Sequence, residues 1–167
     1  VISHKKGVFK MPNLLTLKVK KELKDLRKNI KAFYGENLIS LICFGSIVRG
    51  DIMIDSDVDL LIIIKESKLG LKKRIGEFYQ NVGDRLSTTH LISPIILTQK
   101  EAKNFYSFYL GILEGFIVLF DKDSFFKGVI GKIQSLKNEG YIEEYNLKGK
   151  KYWRIKNEGE VSERLSQ

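Results

Sequence analysis

The chain has 167 residues, 43% of them hydrophobic and 11% aromatic, with only two prolines, a composition that excludes collagen-like, low-complexity and disordered chains. Its formal charge of +9 comes from 29 basic and 20 acidic side chains, and residues 1–35 alone hold ten basic groups against Glu22 and Asp25. The basicity is therefore an N-terminal feature on a nearly neutral body, suited to a phosphate-rich or acidic partner or to a solvated helix face. One cysteine, Cys43, allows no internal disulfide, and two histidines, His4 and His90, leave no structural zinc site. No apolar run exceeds five residues, against the 18 or so of a membrane span, so no membrane is expected. No charged start followed by an apolar segment suggests export, so the expected compartment is the cytoplasm. The length predicts one domain with a small appendage, divided as residues 1–115 and 116–167.

In chain order, Leu23, Leu26, Ile30 and Phe33 recur at helical spacing from Thr16 to Tyr34, with lysines elsewhere on the wheel, predicting an amphipathic helix ended by Gly35. Leu38 to Phe44 reads as a strand buried on both faces, closed by Gly45. A polar turn containing Gly50 leads to a second central strand from Asp57 to Lys65. Ser67 to Val82 reads as a helix, and Ser87 to Thr98 as a strand in which Pro94 marks a bulge or an edge. Gln99 to Tyr109 reads as helical, Phe116 to Phe120 as a short strand and Ser124 to Asn138 as a helix. A hairpin from Tyr141 to Ile155 turns at Lys148, Gly149 and Lys150. The pattern predicts an α/β (α+β) fold, a mixed sheet flanked by helices with a C-terminal helix and β-hairpin.

Asp57 and Asp59 are two apart at a strand mouth, so the strand's period of two turns both carboxylates to one face. Two like charges so close raise one another's pKa unless a cation compensates, which suits a divalent metal, although acidic residues at strand entries are also ordinary. Gly45 and Ser46 end the preceding strand. Glycine admits a phosphate to the backbone, serine adds a hydroxyl and Arg49 adds a cation. A phosphate-holding turn beside a carboxylate pair is what metal-assisted phosphoryl or nucleotidyl transfer requires.

Read together, Gly45-Ser46, Arg49-Gly50-Asp51 and Ser56-Asp57-Val58-Asp59-Leu60-Leu61 closely resemble the signature of the polymerase-beta-like nucleotidyltransferase superfamily, especially its minimal archaeal and bacterial members. The resemblance implies a nucleotidyltransferase fold, an NTP as substrate, phosphate binding at Gly45, Ser46 and Arg49, and Mg²⁺ (or Mn²⁺) on the catalytic residues Asp57 and Asp59. The family's third carboxylate sits on the next core strand, where this chain has Ser93, a poor base and weak metal ligand. Two functions stand on these residues. One is transfer of a nucleoside monophosphate from an NTP to a hydroxyl of a protein, a small molecule or an RNA end. The other is a catalytically silent module that binds nucleotide or nucleic acid, with the basic N-terminal helix engaging nucleic acid or a partner protein.

Other motifs fail on spacing. Asp55, Asp57 and Asp59 lack the glycine of a calcium loop, and Gly128-x-x-Gly131-Lys132 lacks the spacing of a P-loop. A glycosyltransferase DxD pair leaves Gly45-Ser46 unexplained, and Arg49-Gly50-Asp51 as an adhesion tripeptide has no use in a cytoplasmic chain. His90 is expected to be packed or exposed rather than a ligand, and Cys43 to behave as a small buried hydrophobe. Tyr152, Trp153 and Arg154 suit either base stacking or a hydrophobic cap, the cap being favoured.

Overall fold

The computed structural model describes residues 17–50, 56–83, 86 and 88–167. His4, the basic residues Lys5, Lys6 and Lys10, and the acidic residues Asp51, Asp55 and Asp84 lie outside the described residues. The elements are α1 (Leu17–Tyr34), β1 (Leu38–Phe44), α2 (Ser46–Arg49), β2 (Val58–Ile64), α3 (Leu71–Asn81), β3 (Ile92–Thr98), α4 (Phe108–Leu113), β4 (Phe116–Asp121), α5 (Phe125–Asn138), β5 (Ile142–Leu147), β6 (Lys150–Ile155) and α6 (Glu158–Ser166).

Four strands form the main sheet in the order β3-β2-β1-β4, with β1 antiparallel to both neighbours and β2 parallel to β3. It is the expected mixed sheet flanked by helices. Because both faces are covered, β1 and β2 carry apolar residues on both faces rather than at alternate positions, with Ser40 of β1 buried through its hydrogen bond to Asp121. Leu60, Ile62 and Ile64 pack with Leu23, Leu26 and Ile30 of α1 and Phe78 of α3, whereas Leu61 and Ile63 pack with Tyr109 of α4, Ile133 of α5 and Val161 of α6. Asp59 shares the parity of Leu61 and Ile63, so it faces the α4–α5–α6 side, just beyond its hydrophobic layer, whereas the strand expected from Asp57 begins one residue later, at Val58, and leaves Asp57 at its entrance.

Several boundaries move for local reasons. The helix expected from Ser67 starts only at Leu71, because Ser67 Oγ accepts the Leu69 N–H in a turn and Gly70 takes the N-cap place. The strand expected from Ser87 starts at Ile92, since Thr88 Oγ1 donates to the His90 carbonyl and Thr89 binds Glu22 instead of pairing. Pro94 lies in β3, an edge strand, which tolerates its missing N–H. The helix expected over Gln99 to Tyr109 is a short 3₁₀ turn, Glu101–Lys103, then a break before α4. The hairpin loop is the pair Lys148 and Gly149, both with positive φ (50° and 78°), and Lys150 already pairs with Leu147. That geometry matches the strand twist. α6 went unforeseen, although Asn157 accepts the Glu160 N–H, a capping arrangement written in the spacing Asn-x-x-Glu. β4, which opens the segment 116–167, is hydrogen-bonded to β1 as the fourth strand.

A fork holds α3 to the end of β3. Arg74, 4% exposed, donates to both oxygens of Glu101 (2.6 and 2.9 Å) and to the Leu69 and Ile96 carbonyls. The Arg74 hydrogen bonds outweigh partial burial and hold the Glu101 carboxyl down to about 2, against an ordinary 4.5. A carboxyl depressed in the fold adds stability above its ordinary value and loses it as pH falls toward the folded one. Glu101→Gln should therefore cost about 2 kcal/mol at neutral pH, after allowing for Glu101's partial exposure. The gap to the unmodified chain should close between pH 4.5 and about 2 in chemical denaturation. A pH-independent gap would assign the loss to shape rather than charge.

Candidate functional site

The site is built where β1 ends. Gly45 has φ +82° and ψ −158°, a backbone conformation that side chains disfavour. A Cβ there would collide with Asp59 Oδ2 and stand 3.0 Å from Asp59 Cγ. Glycine is thus required twice, for the turn and for the close approach of the Asp59 carboxylate. The Val48 and Arg49 N–H groups donate to the Gly45 carbonyl (3.1 and 3.2 Å), which starts the short α2 and puts the Ser46 and Ile47 amides at its head. Gly50, at φ +85°, ends α2, with its N–H on the Ser46 carbonyl.

One row crosses the sheet at this end: Ser93 of β3, Asp59 of β2, Phe44 of β1 and Phe116 of β4 stand in register. Asp59 is half-buried and Asp57 exposed. Burial first, then the Asp57 charge, push the Asp59 carboxyl above the usual carboxylate range, with the Arg49 guanidinium opposing them. The turn residues Gly45, Ser46 and Arg49 are therefore gathered at the same strand ends as the two aspartates. Arg49 Nη1 lies 3.8 Å from Glu114 Oε2, and Glu114 is also 3.2 Å from Lys151 Nζ on β6, which in turn reaches Glu144. The hairpin thus flanks the turn.

Tyr79, Glu114 and Lys151 escaped the sequence reading. Tyr79 donates to the Ile92 carbonyl at 2.6 Å, at the mouth of β3, and burial first, then the Asp57 charge, push its hydroxyl up. Helical phase could have flagged Tyr79 on α3. Nothing in spacing points to Glu114 or Lys151, which reach Arg49 from far along the chain.

Ser93 stands directly across from Asp59, where the resemblance locates the third carboxylate, and it is exposed. Among the described residues no group of three or more His, Cys, Asp or Glu side chains could hold a metal. Two aspartates two residues apart at a strand mouth, one with its carboxyl raised by burial and by the other's charge, still fit a hard divalent cation whose remaining ligands are phosphate and water oxygens. Cys43 is buried, and burial with the Asp59 charge pushes its thiol up to about 12, so it packs as a small hydrophobe. His90 is turned away to Glu22, Nδ1 to Oε2 at 2.9 Å, in a pair that ties the approach to β3 to α1.

A family model described as the nucleotidyltransferase domain matches residues 18–110, from α1 into α4. The chain is 31% identical over 123 residues to a Methanocaldococcus jannaschii protein named "Putative protein adenylyltransferase", covering 68% of this chain and 80% of that protein. A second protein of that organism and description is 39% identical over 77 residues, covering 44% and 74%. Spectinomycin 9-adenylyltransferase of Staphylococcus aureus is 28% identical over 89 residues, 53% of this chain but 34% of that enzyme, so the chain spans about a third of its length. The matched segment contains the glycine-serine turn, both aspartates and the three strands β1, β2 and β3, and the chain belongs to the nucleotidyltransferase domain family.

Proposed function

We propose that this chain is an adenylyltransferase that moves AMP from ATP to a side-chain hydroxyl of a polypeptide, using Mg²⁺ or Mn²⁺ held by Asp57 and Asp59. The observation that supports this reading is the close approach of the Asp59 carboxylate to Gly45, which leaves no room for a Cβ there and brings that carboxylate against the turn. The donor and acceptor classes rest on the relatives described as protein adenylyltransferases. The Ser46 and Ile47 amides, the Ser46 hydroxyl and the Arg49 guanidinium bind the triphosphate. When bound, the divalent ion supplies Lewis-acid charge stabilisation at the reacting phosphate. The acceptor oxygen bonds to the α-phosphorus, the bond to pyrophosphate breaks and the hydroxyl proton passes to solvent. In the proposed division of labour, residues 1–115 carry this chemistry and residues 116–167 add the sheet edge and the hairpin that brings Lys151 to its flank. No described helix is long and apolar enough to cross a membrane. We place the reaction in the cytoplasm, where ATP is available.

The silent-module reading draws on a specific observation, the serine opposite Asp59. General-base help is worth about a hundredfold to ten-thousandfold, so transfer should be slow, and Ser93→Asp should raise turnover with little change in ATP affinity. Incubation with α-labelled ATP, Mg²⁺ or Mn²⁺ and a cell lysate tests both readings. A labelled protein band supports transfer. Tight ATP binding with no labelled product, in the unmodified chain and in Ser93→Asp alike, would leave the silent module.

A further inference from the structure

Two arginine–carboxylate pairs in this chain are built differently. Arg74 and Glu101 close a fork at 2.6 and 2.9 Å, the geometry of a pair that ties two elements together. Arg49 and Glu114 Oε2 stop at 3.8 Å, beyond hydrogen-bond reach. Backbone separation does not hold them apart. Gly115, the residue after Glu114, lies against the arginine stem, with the point a Cβ would occupy 3.9 Å from Arg49 Cγ. What differs is the other carboxylate oxygen, because Glu114 Oε1 is engaged by Lys151 Nζ at 3.2 Å. The hairpin aims Lys151 there. On β6, Lys151 shares a face with Trp153 and Ile155, which pack with Ile133 of α5, whereas Lys150 takes the other face. The Lys151 ammonium also meets Glu144 at 3.2 Å, and Glu144 is held in turn by Lys137 at 3.3 Å. Glu114 first, then Glu144, raise the Lys151 ammonium above its ordinary value, so it is charged at neutral pH. Glu114 is not the only partner of Arg49, whose charge is also felt by Asp59.

We propose that Lys151 is a positioning residue for the phosphate site: by engaging Glu114 it stops that carboxylate from closing a fork on Arg49, so the guanidinium keeps its place at the turn. The inference rests on the reading of Arg49 as a ligand of the triphosphate. Lys151 itself touches no phosphate and acts through Glu114. A carboxylate and a phosphate group compete for the same planar set of N–H donors, so a Glu114 turned fully to Arg49 works against nucleotide binding. The C-terminal hairpin in this way tunes a turn that lies far earlier in the chain.

The test measures the affinity of the full chain for Mg·ATP by isothermal titration at low salt, where exposed charges are least screened. Lys151→Gln should weaken binding about threefold to fivefold, the scale of a partly exposed ion pair, and Lys151→Arg should retain the affinity of the unmodified chain. Added to Glu114→Gln, the same Lys151→Gln change should weaken binding by less than about twofold, because the competing carboxylate is gone. Lys150→Gln removes an equal charge from the opposite face of the hairpin and should also cost less than about twofold. Urea unfolding confirms that each variant is folded. Equal weakening by Lys151→Gln with and without Glu114 would make Lys151 a direct phosphate contact and overturn the proposal. So would a Lys151→Gln chain that binds as tightly as the unmodified one while Arg49→Gln binds more weakly. Affinity indifferent to Arg49→Gln, or no Mg·ATP binding by the unmodified chain, would overturn the reading of Arg49 and this proposal with it.

Discussion

Gly45→Ala should lower ATP affinity about a hundredfold and destabilise the fold by about 2–3 kcal/mol. Two effects combine. Holding an alanine at positive φ costs roughly 1–2 kcal/mol, and its methyl cannot coexist with the Asp59 carboxylate where it now lies. Either Asp59 moves or the turn does, and a displacement of about 1 Å at a reacting centre is worth about a hundredfold. Gly140→Ala separates the two contributions. Gly140 has φ +80° but nothing within 4 Å of the point a Cβ would occupy, so its replacement should cost only the backbone strain and leave ATP affinity untouched. Isothermal titration of ATP with Mg²⁺, alongside urea unfolding of both variants, reads the comparison. A folded Gly45→Ala chain with unchanged ATP affinity would remove the turn from the site.

Asp57→Asn and Asp59→Asn should each lower metal-dependent transfer, or metal-dependent ATP binding if transfer is absent, by about a hundredfold to a thousandfold. Asp59→Asn should affect the metal-free fold in the opposite sense. Burial and the Asp57 charge raise the Asp59 carboxyl, so the ionised form works against the native state. A carboxyl raised in the fold returns stability as pH falls through its titration and withdraws it above. At neutral pH without divalent ions, Asp59→Asn should therefore melt about 1–3 °C higher than the unmodified chain. Acidification through the carboxylate range should narrow that difference. Added Mg²⁺ with ATP should reverse the order, because only the intact pair gains stability by binding. An Asp59→Asn variant that melts lower at neutral pH, and still binds Mg·ATP, would show that the carboxylate has a structural task instead.

The order of elements and the central strands were legible because local signals were strong and unopposed. β1 appears at the predicted bounds, Leu38–Phe44, since a run apolar on both faces has no alternative to the centre of a covered sheet. Boundaries failed where side chains compete with the backbone for hydrogen bonds. Ser67, Thr88 and Thr89 each took a local or tertiary partner that propensity does not register. The break between the 3₁₀ turn and α4 likewise has no periodic signature, because Glu101 is committed to Arg74 and Thr98.

At the candidate site, the sequence by itself determined the chemistry on offer: a glycine and serine after one strand, two aspartates of equal parity on the next, and a serine on the third. Tertiary structure alone decided their mutual positions. The antiparallel pairing of β1 with β2 sets Phe44 opposite Asp59, so the chain's next residue, Gly45, meets that carboxylate. Parallel pairing of β2 with β3 sets Ser93 across from it. The Arg49–Glu114–Lys151 chain joins segments far apart in sequence, and such contacts depend on which strands are neighbours. Strand parity is a local property of the backbone, readable from a few residues, whereas strand order follows from the balance of burial over the whole sheet.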